Sequence, residues 1–446
     1  MSTPDDQSFS NKTSGTENTE EQPQIELSRL TRSVMVNQLV WTAGYSLTSG
    51  GFLLYFAKGL GAEQWAITVL LVLPEMLGIT GLFGRKLLQR FGSSKRFFLT
   101  FSLLARCCML AVPFYGFRLF RADGDVAFAS MIGVLAISYI LQEIAYVIYI
   151  AWISELAPQS HWGRFFAWRN IAKLVSMLTV PVAGGFLRDW WRHAGPPEEA
   201  LLAYEIAFSL GVVLLTVSLL PMLKVPDVSL PPLADAVPSW KRIREAWREP
   251  SMRFLLLHAW CLAFANGLTQ QAFFSLTYGH LGIQLGMYYG LSSLMQLVKL
   301  PVSWFSGRQC DRSGNLRPLV IGLIIASSGL VFWLLATKEQ WWWVIPAYTC
   351  WGFYAMANIA GRNLALELSP AADRLVHFAL FRQVSGVCAG MSGLLGGWWL
   401  GKLFAADVEW SFLGRTLGAA HVIIVVSLIG RYASLLWLIP VREPSE

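Results

Sequence analysis

The octapeptide Gly-Arg-Gln-Cys-Asp-Arg-Ser-Gly at residues 307–314 has a relative in the nonapeptide Gly-Arg-Lys-Leu-Leu-Gln-Arg-Phe-Gly at residues 84–92. Each peptide follows the second apolar run of membrane-spanning length in its own half of the chain. Basic loops of this kind are typical of the points where a hydrophobic chain leaves the bilayer. A related loop at equivalent places in two halves predicts the internal duplication of a membrane domain.

A second repeat supports the same duplication. The segment Glu155-Leu156-Ala157-Pro158 corresponds to Glu367-Leu368-Ser369-Pro370 at an offset of 212 residues. Because the halves keep one offset beyond this anchor, they are expected to have the same, parallel topology. The further pairs at this offset are Phe166-Ala167 with Phe378-Ala379 and Gly184-Gly185 with Gly396-Gly397.

The composition places these repeats in a membrane. Of the 446 residues, 54% are hydrophobic and only 14% are charged, whereas an ordinary soluble domain has about 25% charged residues. A spanning helix needs about 20 mostly apolar residues. The chain is therefore predicted to be an all-α integral membrane protein with twelve transmembrane helices in two six-helix bundles. The apolar runs lie near 34–58, 65–83, 96–117, 126–153, 170–188, 201–223, 254–276, 284–306, 318–336, 341–366, 376–404 and 418–440.

These runs divide the chain into an N-terminal bundle at 33–223, a cytoplasmic connector at 224–253 and a C-terminal bundle at 254–441. Residues 1–32 are polar and carry no signal segment, so they are expected to form a disordered cytoplasmic tail, and 442–446 a second tail. The side of the termini carries 23 Lys and Arg residues and the other side 8. The positive-inside rule then predicts cytoplasmic termini for a multi-pass protein of the cell (inner) membrane.

Several function classes are disfavoured by the residues that the chain contains. The net charge of +7 fits positive cytoplasmic loops better than nucleic-acid binding. The six cysteines lie mostly in apolar runs without zinc or disulfide spacing, so we expect no metal site and no cofactor. A nucleophile elbow, a His-rich cluster and an ATP-binding phosphate loop are all missing from the sequence, which argues against an enzyme or an ATP-driven pump.

The second-half loop resembles the Gly-x-x-x-Asp-Arg-x-Gly motif of the major facilitator superfamily of secondary transporters. The first-half copy departs from that motif, because Gln89 replaces the acidic residue and one extra residue follows Gly84. The resemblance covers about residues 33–441 and implies two pseudo-symmetric bundles, a solute site at mid-depth lined by spans 1, 4, 7 and 10, and loop motifs that latch the cytoplasmic side. The candidate gating residues are Gly84, Arg85, Arg90, Gly92, Gly307, Asp311, Arg312, Gly314, Glu155 and Glu367.

Ionisable residues inside spans are costly and therefore candidate functional groups. Glu143 in span 4 lies near mid-membrane and is expected either to bind a cation or proton or to pair with Arg106 of span 3. Arg362 in span 10 is expected to hold an anionic group or to act at the cytoplasmic gate. His258 in span 7 either titrates near neutral pH or serves as a hydrogen-bonded helix partner.

Two more charges, Glu75 and Lys299, occupy nearly equivalent places in spans 2 and 8. Their opposite signs predict either a pair across the bundles or separate contacts with the cavity. Arg431 and Glu205 lie on peripheral spans of such a fold and are interpreted as structural or interfacial. Aromatic and amide side chains of the inner spans suit a polar or amphipathic organic solute. These candidates are Gln38, Trp41, Tyr45, Tyr146, Asn266, Gln270, Gln271, Asn358 and Asn363, with further polar residues of span 1 such as Asn37.

Together these features predict a monomeric secondary active transporter in the lipid bilayer that moves a small organic solute by alternating access. Coupling to protons through Glu143, or to another ion, is a further expectation. The alternative is a transporter-like membrane receptor or scaffold that binds a solute without moving it, a reading that the departure at Gln89 supports. The solute and the direction of movement do not follow from the sequence.

Overall fold

The computed structural model describes residues 17–114, 124–156, 162–194, 201–228, 244, 247–369, 377, 380–412 and 415–443. In the first half the helices are α1 (Glu17–Thr48), α2 (Gly50–Gly59), α3 (Gln64–Leu77), α4 (Gly84–Phe91), α5 (Ser94–Phe114), α6 (Gly124–Leu156), α7 (Trp162–Ala194) and α8 (Leu202–Val217). In the second half they are α9 (Pro250–Leu268), α10 (Gln270–Phe274), α11 (Leu285–Ser313), α12 (Leu316–Leu335), α13 (Val344–Gly352), α14 (Tyr354–Glu367), α15 (Ser385–Ala405) and α16 (Ala419–Ser434).

The predicted spans are helical in the structure, but several of them are broken. By length and composition, seven helical segments in the described part of the chain are long and apolar enough to cross a membrane. Among the others, span 1 is divided at Ser49 between α1 and α2, span 7 at Thr269 between α9 and α10, and span 10 at Phe353 between α13 and α14. The backbone N–H and C=O groups that are freed at such breaks need hydrogen-bond partners inside the protein, because lipid offers none.

The break in span 1 depends on a glycine. Ser49 has an extended backbone, and Gly50 follows with a φ of +55°. That conformation is unfavourable for residues with a side chain but costs glycine little. The chain therefore redirects between α1 and α2 without losing the helix on either side.

Two details differ from the sequence-based expectations. The helix α1 begins at Glu17, well inside the segment 1–32 that was expected to be a disordered tail, because the Glu, Gln and Leu residues there are good helix formers. A short antiparallel hairpin joins β1 (Trp410–Phe412) to β2 (Arg415–Leu417) between α15 and α16. The rest of the expected tail, residues 1–16, and most of the connector lie outside the described residues.

The two halves pack against each other along two helix pairs. Helix α3 of the first half contacts α15 of the second, and α7 contacts α11. Within each half, the parallel repeats give matching internal pairs, such as α5 with α6 and α12 with α14. The inter-bundle contacts therefore form two seams, one between α3 and α15 and one between α7 and α11.

Buried apolar residues distinguish the two ends of the molecule. At the end where α2 leaves its bundle, here called the sealed end, Phe52 and Tyr55 share one core with Leu285 and Tyr289 of the other half. At the opposite end, here called the motif end because it carries residues 84–92 and 307–314, each half has a core of its own. Among the described residues, the bundles therefore share an apolar core at the sealed end and have separate apolar cores at the motif end.

Candidate functional site

A cavity of about 240 Å³ lies inside the first bundle between α1, α5, α6 and α7. Its volume lies just below the range of about 300–1,000 Å³ that is ordinary for small-molecule sites. Both charged and aromatic side chains reach it. The lining consists of Asn37, Gln38, Trp41, Tyr45, Phe98, Ser102, Arg106, Gln142, Glu143, Ala145, Tyr146, Tyr149, Arg169, Asn170 and Lys173.

Aromatic rings form the apolar part of this lining. Trp41 and Tyr45, one turn apart on α1, stack with their centroids 4.9 Å apart and their planes 11° apart. Phe98 of α5 stacks on Tyr149 of α6 at 5.0 Å, and Tyr146 lies 6.5 Å from the same ring. Two aromatic surfaces on different helices therefore border the cavity, as suits a solute with a flat apolar body.

The amides of α1 are held in place by hydrogen bonds. Asn37 donates from Nδ2 to the Ser218 carbonyl at 2.7 Å, and its Oδ1 accepts from the Tyr149 hydroxyl at 3.2 Å. Gln38 donates from Nε2 to the Thr42 hydroxyl at 2.8 Å. Both amides are buried, so their positions are fixed before any solute arrives.

Three cationic residues line the cavity. Arg106 has 2% of its surface exposed and donates from Nη1 to Gln142 Oε1 at 2.7 Å. The Arg169 guanidinium lies 5.5 Å from the centre of the Tyr149 ring. The Nε groups of both arginines are buried and find no hydrogen-bond partner in the described part of the chain. With Lys173 one turn after Arg169 on α7, the cavity has an excess of positive charge.

Glu143 is the one carboxylate among the described lining residues, and it is half-buried. The expected pairing of Glu143 with Arg106 is not formed, because the described residues give Arg106 a bond to the neighbouring amide, Gln142, instead. Glu143 interacts electrostatically with Arg382 of the second half. A cation of the second half therefore acts on a carboxylate that lines the first-half cavity.

The expected pair between Glu75 and Lys299 is also not formed. Glu75 interacts with the Gln270 side chain of the other half, whereas Lys299 lies near Lys173. The packing explains the difference, because the seams join span 2 to span 11 and span 5 to span 8. Equivalent places in the two bundles are therefore not neighbours.

The polar candidates of spans 7 and 10 form an internal network around Arg431. This buried side chain donates to the hydroxyls of Ser427, Tyr354 and Thr269 at 3.1, 2.9 and 3.1 Å. The Tyr354 hydroxyl in turn donates to Asn266 Oδ1 at 3.1 Å. These contacts join α16, α14 and the α9–α10 junction, a structural role of the kind expected for Arg431.

The remaining second-half candidates do not line the cavity. His258 is buried, and its Nδ1 lies 2.9 Å from the Ser434 carbonyl, which fits the helix-partner alternative. Arg362 and Asn358 on α14 are exposed, Asn363 is half-buried, and Gln271 is buried with an unpartnered Oε1.

Hydrogen bonds between the halves cluster at the sealed end. The Tyr55 hydroxyl donates to the Ile283 carbonyl at 2.7 Å, and the Tyr289 hydroxyl accepts from the Phe52 N–H at 3.0 Å. Asp189 on α7 accepts from the Gly286 N–H at 2.7 Å. Together with the shared apolar core, these contacts hold the two halves together at this end.

The motif end is held mainly by contacts within each half. Asp311 and Arg312 are exposed, and neither forms an ion pair with a described residue. Glu367 accepts from Asn315 Nδ2 at 2.6 Å. Burial raises the pKa of the Glu367 carboxyl, against the lowering effect of that hydrogen bond, and the nearby Glu443 carboxylate adds to the rise. The expected latch between Arg312 and an acidic helix end is thus not engaged in this structure.

The first-half motif is exposed as well. Gln89, Arg90 and Glu155 are exposed, and the side chain of Arg85 lies outside the described residues. Gly92 and Gly314 have φ values of +70° and +75°, which explains glycine at the end of each motif. Gly84 packs against α6, since a Cβ there would meet the Ile144 carbonyl oxygen at 3.0 Å, whereas a Cβ at Gly307 would meet open space.

Sequence reasoning missed three cations that face the centre of the molecule, because it counted Arg169, Lys173 and Arg382 as loop residues. The structure extends α7 from Trp162, so Arg169 and Lys173 lie one turn apart on one helix face. Arg382 interacts with both Glu143 and Lys173. The available signal was the four-residue spacing of Arg169 and Lys173 just before an apolar run.

Comparison with known proteins supports the fold over nearly the whole chain. The profile of the Major Facilitator Superfamily matches residues 34–393, and no curated protein gives a significant match. The expected fold of two six-helix bundles is confirmed. Similar solved structures are the nucleoside transporter NupG (12% identity, 93% of this chain and 99% of that chain, TM-score 0.64), the inward-open xylose transporter XylE from E. coli (14%, 94% and 97%, 0.63) and the peptide transporter POT in complex with sulfate (12%, 92% and 94%, 0.61).

Proposed function

This chain belongs to the major facilitator superfamily, and from that premise we propose that it is a secondary active transporter that moves a small organic solute by alternating access. Membership in the family makes it an integral, multi-pass membrane transport protein. The finer proposal rests on one observation: the halves share an apolar core at the sealed end and have separate cores at the motif end. A solute site next to such an asymmetric closure suits a protein that opens to one side at a time.

Transport is tested in two steps. Thermal-shift measurements on the purified protein with a diverse solute panel identify ligands by their stabilisation. Proteoliposomes loaded with each ligand are then compared with protein-free liposomes. We expect at least one ligand to cross faster in the presence of the protein. Ligands that bind but never cross would instead support the receptor or scaffold alternative.

We further propose that Glu143 carries a coupling proton. Its carboxylate is half-buried in the cavity and interacts electrostatically with Arg382 of the second half. A glutamine at this position removes the titratable group but keeps the shape. In proteoliposomes with and without a pH gradient, E143Q is expected to lose gradient dependence, while E339Q, which changes an exposed carboxylate on the turn between α12 and α13, keeps it. Gradient dependence that persists in E143Q excludes Glu143 as the proton carrier.

The proposed orientation places both termini and the motif end in the cytoplasm and the sealed end outside the cell (inner) membrane. The excess of Lys and Arg on the motif side supports it. Reporter fusions at either terminus test the orientation. A periplasmic signal from both fusions would contradict it.

We also propose that the protein is a monomer. Light scattering in detergent measures the mass of the particle, and a mass of two chains would contradict this proposal.

A further inference from the structure

We propose that the solute is a small organic anion with an apolar, preferably aromatic, body, whose acidic group binds Arg106, Arg169 and Lys173 in the first-half cavity. The inference rests on the proposed function, which leaves the chemical class of the solute open.

The charge of the cavity favours an anion. Its lining carries three cationic side chains and one carboxylate. The described residues place no ion pair among these four groups. Unpaired charges in a cavity of low dielectric are unfavourable, so a ligand of opposite sign gains binding energy by neutralising them.

Unused hydrogen-bond donors point in the same direction. The Arg106 side chain is 2% exposed, and its described partner is a neutral amide, that of Gln142. The buried Nε groups of Arg106 and Arg169 have no hydrogen-bond partner among the residues that the structure describes. A guanidinium presents its donors in a planar fork that matches a carboxylate or a phosphate. An acidic ligand group would satisfy donors that the protein leaves open.

The rest of the lining restricts the body of the anion. The stacked pair of Trp41 and Tyr45 and the ring of Tyr149 border the same cavity. The volume of about 240 Å³ excludes large solutes. An acidic head and a flat apolar body therefore fit this site together, whereas an ammonium group would meet the cations.

Cations of the second half extend the positive region across the gap between the bundles. Lys299 of α11 and Arg382 both interact electrostatically with Lys173. Like charges on opposing bundles disfavour their approach at this depth. A bound anion would reduce that repulsion and so favour closure of the motif end around it.

The test uses the purified full-length protein and matched probes. Each aromatic carboxylate, sulfonate or phosphate ester of a panel is compared with its neutral amide or alcohol and with the related amine, by thermal shift and isothermal titration. We expect acids to stabilise the protein and their neutral and cationic counterparts to bind about tenfold or more weakly. Neutral or cationic members that bind as well as the acids, or a panel in which no acid stabilises the protein, would overturn the proposal.

Variants locate the binding site. K173Q and R169Q are expected to weaken the best acid by about tenfold, with R106K as a milder change if R106Q fails to fold. The matched control is R192Q, which removes an exposed cation from the sealed end of the same helix and should leave affinity unchanged. Equal affinity in K173Q, R169Q and R192Q contradicts the site.

Failure of this inference is distinguishable from failure of the proposed function. An acid that binds in the cavity but never crosses a proteoliposome membrane contradicts transport and leaves the anion site intact. Transport restricted to neutral or cationic solutes contradicts the anion site and leaves transport intact.

Discussion

Tyr354 connects two polar groups inside the second half, since its hydroxyl accepts from Arg431 at 2.9 Å and donates to Asn266 at 3.1 Å. Y354F removes both bonds with almost no change of shape. Because hydrogen bonds to a charged group contribute most, the free energy of unfolding is expected to fall by about 1.5–3 kcal/mol. Chemical denaturation in detergent measures the change.

The control for this prediction is Y432F on α16. The Tyr432 hydroxyl contacts that of Ser328 at 2.8 Å on an exposed surface, so its loss should cost less than about 0.5 kcal/mol. Equal losses in Y354F and Y432F would show that the network around Arg431 contributes no more to the free energy of unfolding than an exposed hydrogen bond does.

Glu143 has a second consequence at the residue scale if the solute is an anion. Its negative charge then opposes binding in the cavity it shares with Arg106, Arg169 and Lys173. E143Q is expected to bind the best acid about fivefold or more tightly, because the repulsion is removed in a partly buried site. Isothermal titration measures the affinity, with E339Q at an exposed position as the unchanged control. Weaker binding by E143Q would mean that Glu143 contacts the solute directly.

At the scale of helices, the seam between α3 and α15 depends on small residues. A Cβ at Gly393 would lie 2.3 Å from Val72 Cγ1, a short, stiff side chain with little room to move. G393A should therefore separate the two helices and lower the free energy of unfolding by about 1–3 kcal/mol. Thermal or chemical unfolding in detergent checks the value.

A compensating change identifies the cause. In the double variant G393A/V72A the clash is removed from the other side, and stability should recover at least in part. G290A on α11, where a Cβ would meet open space, is the control for inserting an alanine. No recovery in the double variant would mean that the helix itself, rather than the seam, is affected.

The sequence predicts where the helices lie better than it predicts which residues they contact. Hydropathy and the repeated loops sufficed for twelve spans and two bundles, since both are local properties of the chain. Which face of a span meets which partner depends on tertiary packing, so Arg106 was not expected to bond to Gln142, nor Glu75 to Gln270. The cavity cations Arg169 and Lys173 were overlooked for a related reason, because α7 extends beyond its apolar run.

For the whole molecule, the asymmetry between the two ends is the central feature. Phe52 and Tyr55 of one half are buried with Leu285 and Tyr289 of the other at the sealed end, while Asp311 and Arg312 at the motif end are exposed. From the resemblance of residues 307–314 to the family motif, we propose a latch there that closes when the sealed end opens. Two alternative closures around one cavity are what alternating access requires.

The most direct test is the accessibility of one cysteine in the cavity. In a background without the six native cysteines, N170C places a thiol on α7 in the cavity lining. Membrane-impermeant maleimide is applied to right-side-out and to inside-out vesicles, with and without the best ligand. K86C at the motif end and E63C at the sealed end, both at exposed positions, are controls that should each react from one side only. We predict that N170C reacts from both sides, in proportions that the ligand changes, whereas labelling from a single side under every condition would contradict alternating access.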